Sequence, residues 1–226
     1  MRKILILASL FILVLSFGVS AEKFAFDLEK LDFVGGLTYN NFALEATIDG
    51  KEDKDDTEEE KKLKDELANG IGFYAGLRYP LQENIALGVG LDRAASSGSI
   101  SIKDGSIEMD QSILGPYAEA VYQVNEFIDV SAALAYYQYV NNIKTTVLTD
   151  VDELEVKGNG IGFLVGGSYE YPLQDGFALK GSVGYRMATI DLKEETADDK
   201  TEDISAEKRK IDLSGFRVSA GISYSF

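Results

Sequence analysis

Apolar and polar residues alternate along most of this chain. At its end Phe226, Tyr224, Ile222, Ala220, Val218 and Phe216 fall on one parity, and Ser225, Ser223, Gly221, Ser219, Arg217 and Gly215 on the other. Successive residues of a strand point to opposite faces, so the segment predicts a strand with one apolar and one small-polar face. The same alternation runs through residues 71–79, 85–92, 114–122, 128–137, 161–171 and 177–187. Between Phe33 and Ala46 the apolar set changes parity, from Phe33, Gly35, Leu37 and Tyr39 to Phe42, Leu44 and Ala46. That change predicts a bulge near Asn40-Asn41. The count is eight strands.

Their connections alternate as well. Residues 80–84, 123–126 and 172–176 are short and carry turn residues, whereas 47–69, 94–111, 141–158 and 191–209 are longer and polar. Short turns at one end and long loops at the other describe an up-and-down meander, with both chain ends on the short-turn side. Strands of about 9–11 residues, closed to remove their edges, predict an all-β fold, an eight-stranded antiparallel up-and-down transmembrane β-barrel. An internal echo supports a duplicated half-barrel: Asn69-Gly70-Ile71-Gly72-Phe73 returns as Asn159-Gly160-Ile161-Gly162-Phe163, and Tyr79-Pro80-Leu81-Gln82 as Tyr171-Pro172-Leu173-Gln174.

The chain opens with Arg2 and Lys3, an apolar run from Ile4 to Phe17, and the small-residue triplet Val19-Ser20-Ala21. These are the parts of a secretory signal peptide, expected to span 1–21 and to be cleaved before Glu22, leaving 22–226 as the barrel. The apolar run is too short for a spanning helix, which needs about 20 residues.

With the signal peptide and the strand count, the last twelve residues, Gly215 to Phe226, give the chain its resemblance. It resembles the small outer-membrane barrels of the OmpA- or OmpX-like family. The resemblance implies the outer membrane of a diderm bacterium, with outer-membrane lipid and the barrel-assembly machinery as partners. It also implies that Val218, Ala220, Ile222, Tyr224 and Phe226 form the assembly signal.

If the apolar parity faces lipid, the other parity lines the lumen. Its charges are Arg78, Asp92, Glu119, Asp129, Glu170, Lys180, Arg186 and Arg217, four acids and four bases. An eight-stranded barrel has an interior just wide enough for side chains to fill. The equal count permits a structural ion-pair network, and the same residues read alternatively as a selectivity-setting constriction. Phe33, Tyr79, Tyr122, Phe127, Tyr171, Phe177, Tyr224 and Phe226 gather beside the short turns, as an aromatic girdle at the headgroup boundary would.

Composition narrows the functions. The 226 residues carry 22 Lys+Arg against 38 Asp+Glu, a net charge of −16, which disfavours nucleic acid. There is no cysteine and no histidine, so thiolate metal sites and the usual general base are missing, and no catalytic, cofactor or metal site is expected. Much of the acid lies in the long connections: residues 49–66 hold ten acids and five bases, and 191–210 eight and five. Within the first, Thr57 and Glu60 have capping-box spacing, which allows a short helix between Thr57 and Asn69. The leading expectation is a structural or surface-interaction protein presenting four long acidic loops to an unnamed extracellular ligand. The alternative is a narrow pore for small solutes or ions. A soluble lipocalin-like barrel would instead put the apolar faces inside.

Overall fold

The computed structural model describes residues 30–48, 51–52, 57–148, 150–198 and 200–226; the signal peptide expected at 1–21 lies outside them. In chain order the elements are β1 (Asp32–Asn41), β2 (Glu45–Ile48), β3 (Lys51–Glu52), α1 (Glu58–Leu67), β4 (Asn69–Gln82), β5 (Ile85–Ile102), β6 (Gly105–Asn125) and β7 (Ile128–Val147). There follow β8 (Asp150–Pro172), β9 (Phe177–Ala197), β10 (Lys200–Asp203), a 3-10 turn at Ser205–Glu207, β11 (Lys210–Asp212) and β12 (Gly215–Ser225). Eight of the strands close a ring in the order β1-β4-β5-β6-β7-β8-β9-β12, all neighbours antiparallel. The seam joins the first and last ring strands, Asp32 opposite Ser225 and Asn40 opposite Arg217. No helix among the described residues is long and apolar enough to cross a membrane; this chain crosses with strands.

The outer surface of the ring is apolar. Leu37, Ile71, Phe73, Val89, Ile161, Phe163, Val183, Phe216 and Val218 are all exposed, an arrangement that water would penalise and lipid requires. At the short-turn end the rings of Phe177, Tyr224 and Phe226 pack in a row, tilted at 4.6 Å and edge-to-face at 5.0 Å between centroids, and Phe127 stacks on Tyr169 at 5.9 Å. Val183, 63% exposed, sits near the middle of the apolar outward row 177–187 of β9. An arginine there should cost about 2–4 kcal/mol at the bilayer midplane. Val183→Arg is therefore expected to leave little heat-shifted, folded protein in outer-membrane fractions; wild-type recovery would contradict an outward face bathed in lipid.

The short connections tighten to turns at 83–84, 126–127 and 173–176, and Asn125 Oδ1 accepts from the backbone N–H of Phe127 (2.9 Å) and Ile128 (3.0 Å). The opposite end differs from the sequence expectation. The stretches expected as long loops at 94–111, 141–158 and 191–209 are mostly strand: β5 pairs with β6 up to Ile102–Gly105, β7 with β8 up to Val147–Asp150, and β9 with β10 up to Ala197–Lys200. At about 3.4 Å per residue, strands of 20–23 residues run about twice the length that a membrane crossing needs. The projecting region is thus a crown of hairpins rather than four loops. Their alternation escapes a hydrophobicity reading because water bathes the outer side there, and residues such as Ser97, Ser99 and Ser101 serve as well as leucine.

The crown is uneven. On the side of β1, β4 and β12 the ring strands are short, and the height is made up by α1, by β2 pairing with β11, and by β11 pairing with β9. Helix α1 starts at the expected capping box: Glu60 N–H donates to Thr57 Oγ1 (3.2 Å) and Thr57 N–H donates to Glu60 Oε2 (2.7 Å). Its Leu63 and Leu67 are buried against the inward face of β5, where a side chain at Gly98 would stand 3.1–3.2 Å from Leu63 and Leu67 atoms. Ion pairs Arg209–Glu195 (2.8 Å) and Lys210–Asp191 (3.3 Å) tie the last segment to β9. Beside them the Asp203 carboxyl, which accepts hydrogen bonds from the Ser205 side chain and backbone N–H, is held below the usual carboxylate range.

The bulge expected near Asn40-Asn41 does not form. Pairing of β1 with β4 runs unshifted to Asn41–Asn69, and the strand breaks only at 42–44. Phe42 and Leu44 turn into the barrel, Phe42 just 5% exposed. Apolar residues change face here because the surroundings change: the outer side passes from lipid to water.

Candidate functional site

The lumen is layered along its axis, and each layer comes from the inward parity of several strands. Nearest the short turns lie Arg78 (β4), Glu119 (β6), Asp129 (β7), Glu170 (β8) and Lys180 (β9). Arg78 donates through Nε to Glu119 Oε1 (2.8 Å) and through Nη2 to Glu119 Oε2 (3.2 Å), the paired geometry a planar guanidinium favours. Its Nη1 lies 3.7 Å from both Asp129 and Glu170. Lys180 donates to Asp129 (3.3 Å) and to Glu170, and Ser223 donates to Glu170 Oε2 (3.3 Å). Arg78 and Glu119 meet over Gly88 of the strand between them, and Lys180 and Asp129 flank β8, so each of these bonds bridges an intervening strand on the inner wall.

Above them sits a second group. Asp92 is fully buried, and its Oδ2 accepts from Arg186 Nη2 (2.8 Å) and from the Tyr137 hydroxyl (3.0 Å), while its Oδ1 stands 3.1 Å from Arg217 Nη2. Arg186, 1% exposed, also donates from Nε to the Tyr137 oxygen (3.2 Å), and its guanidinium lies over the rings of Phe42 (5.4 Å) and Tyr137 (5.2 Å). Arg217 lies over Tyr74 at 5.2 Å. Tyr137 fits because its neighbours are small: Cβ atoms at Gly115 and Gly162 would come within 2.5 and 2.7 Å of its ring. The eight lumen charges expected from the inward parity thus divide in two groups, five near the short turns with one acid in excess and three above with one base in excess.

The third layer is apolar and goes beyond the sequence expectation. Phe42, Ala94, Ile113, Tyr139, Ala188, Ile190 and Leu213 pack together across the interior, Ile190 and Leu213 at most 1% exposed. A void of about 10 Å³ beside Phe42, Ala94, Ile113, Tyr139 and Leu213 has room for no more than a single water. The signal is present in the sequence as apolar residues on the lumen parity just beyond several membrane segments, such as Ala94, Ile113, Tyr139 and Ile190. Over this layer Gln111 bonds Ser96 Oγ (2.8 Å), the Leu67 carbonyl (3.1 Å) and the Tyr139 hydroxyl (3.2 Å), which ties the end of α1 to the inner wall. Below the apolar layer space remains. A cavity of about 80 Å³ lies between the two charge groups, and one of about 140 Å³ opens at the short-turn end beside Asp32, Glu83, Asp129 and Glu170. The outward row of β12 carries Val218, Ala220, Ile222 and Tyr224, and Phe226 follows directly after the strand, 65% exposed; these are the residues expected to form the assembly signal.

The sequence profile described as Autotransporter beta-domain matches residues 46–226. No curated protein matches the chain. Among solved structures, the chain is similar to the attachment invasion locus protein Ail of Yersinia pestis, with 14% identity over 85% of this chain and 98% of that one and a TM-score of 0.47. It is similar to the outer membrane protease OmpT of Escherichia coli, with 12% identity over 92% and 100% and a TM-score of 0.49. It is also similar to the outer membrane protein OprG of Pseudomonas aeruginosa, with 10% identity over 88% and 99% and a TM-score of 0.49. A closed antiparallel ring, a lipid-facing belt and a profile match over most of the length agree: the chain belongs to the Autotransporter beta-domain family of outer-membrane β-barrels.

Proposed function

We propose that this protein is a non-conducting outer-membrane platform that holds an acidic, hairpin-built crown outside the cell for surface interaction. The observation that carries the reading is the apolar layer around Phe42, Ile190 and Leu213 beneath α1. An ion crossing it would lose its water and gain no polar partner, a penalty of many kcal/mol. The crown supplies what a surface-interaction protein needs. It is a sheet of paired strands with an excess of acid; residues 141–158 alone carry four acids against two bases. A partner with a basic surface fits that charge. The proposed assembly signal, read by the barrel-assembly machinery, would place the protein without further chemistry. With no histidine in the chain, a hydrolase built on a histidine base has no residue to use.

The narrow-pore reading has one observation in its favour, the two cavities of about 80 and 140 Å³ below the apolar layer. Planar-bilayer recording of protein purified from outer membranes separates the two. The platform reading expects inserted, heat-shiftable protein that stays silent. A steady conductance that changes when Arg78, Glu119, Arg186 or Arg217 is neutralised would replace it with the pore.

A further inference from the structure

The two charge groups of the lumen are each unbalanced, and the cavity of about 80 Å³ lies where the basic excess faces. Its charged lining is Arg78, Lys180, Arg217 and Glu119, three cations to one anion, whereas the mouth at the short-turn end has Asp32, Glu83, Asp129 and Glu170 against Arg78 alone. Arg78 and Lys180 are spoken for: the first is clamped on Glu119, the second bonded to Asp129 and Glu170. Arg217 is different. A guanidinium carries five N–H donors, and among the described residues the ion pair of Arg217 is a single one, Nη2 to Asp92 Oδ1 at 3.1 Å. That carboxylate is already shared with Arg186 and Tyr137.

A second, independent observation lies beside it. The Tyr74 ring, nine-tenths buried, stacks under Arg217, and its hydroxyl is buried without a hydrogen-bond partner. It stands close to Ser219, whose hydroxyl is engaged with Ser182. A buried hydroxyl without a partner is destabilising, so that hydroxyl, a guanidinium with spare donors and two serines around one cavity call for a common acceptor. The volume exceeds the roughly 30 Å³ share of one water, which admits a small ion together with a water.

We propose that this cavity is a binding site for a small monovalent anion of halide or nitrate size, held by Arg217 with the Tyr74 hydroxyl and the Ser182–Ser219 pair. The anion neutralises the basic excess of Asp92, Arg186 and Arg217 and supplies the acceptor that the Tyr74 hydroxyl lacks.

The probe is bromide. Crystals of the full barrel, purified from outer membranes and grown in sodium bromide, should show an anomalous peak within contact distance of Arg217. In solution, the urea midpoint of unfolding, read by gel mobility, should rise with bromide relative to gluconate at equal ionic strength, following the logarithmic dependence of a site filled only in the folded state. Arg217→Gln should abolish that dependence, and Tyr74→Phe, which keeps the ring, should weaken it while the barrel still folds. An anomalous map empty at the cavity overturns the site. So does a bromide dependence that Tyr74→Phe and Arg217→Gln leave unchanged, since that would be a salt effect on the surface.

Discussion

Asp92→Ala is expected to destabilise the barrel by about 3–5 kcal/mol, the usual cost of stripping one partner from a buried charge group. The figure follows from its position. Asp92 is 0% exposed and, among the described residues, is the one carboxylate against which Arg186 and Arg217 are paired. Without it two guanidiniums are left facing one another in a region of low dielectric. The measurement is the urea midpoint of the folded, heat-shiftable form in detergent. Asp92→Asn should cost nearly as much, because it preserves shape and the Tyr137 contact but removes the charge. Adding Arg186→Leu to Asp92→Ala should recover part of the loss, a coupling that a double-mutant cycle reads directly. If Asp92→Ala unfolds at the wild-type midpoint, the upper group contributes no pairing energy, and the lumen is not held by its charges.

The second large effect concerns the closure of the lumen. A variant carrying Phe42→Ala and Leu213→Ala is expected to pass ions in a planar bilayer where the unaltered protein is silent. Both side chains reach into the layer that separates the charge groups from the crown, at 5% and 1% exposure. Each truncation should also cost about 2–5 kcal/mol through lost burial and the cavity left behind. The wall of paired strands and the lipid-facing belt are untouched, so insertion should persist at reduced stability. Continued silence of the inserted double variant would mean that the seal lies elsewhere, in α1 or in the ion pairs below.

What the sequence makes legible, and what it hides, divides at the outer boundary of the bilayer. Within the bilayer, lipid imposes a strict apolar parity, so residues 71–79 and 177–187 announce their strands and their outward face, and Arg78, Lys180 and Arg186 fall on the inward parity by elimination. Which charge meets which is another matter. Asp92 and Arg186 are 94 residues apart and come together only through the register of the whole ring. Outside the bilayer both faces tolerate polar residues, and strand continuations such as Thr145 and Thr146 are indistinguishable from loop by hydrophobicity. Phe42 and Leu44 mislead for the same reason: their parity changes because the solvent does, and no bulge is needed to explain it. Helix α1 is legible through its cap, since Thr57 and Glu60 act locally and need no partner strand.

The inversion of apolar residues at that boundary divides every strand of the wall between two solvents. Along β9, Val183 answers to lipid and Ile190, seven residues on, answers to a water-excluding interior. Mutational tolerance should therefore be a function of height as well as of face. A charge on the outer face is ruinous low on the strand and harmless high on it, whereas the inner face follows the opposite schedule. Drift in this family would then leave a slanted record in sequence, with the constrained parity of each strand trading places where the membrane ends.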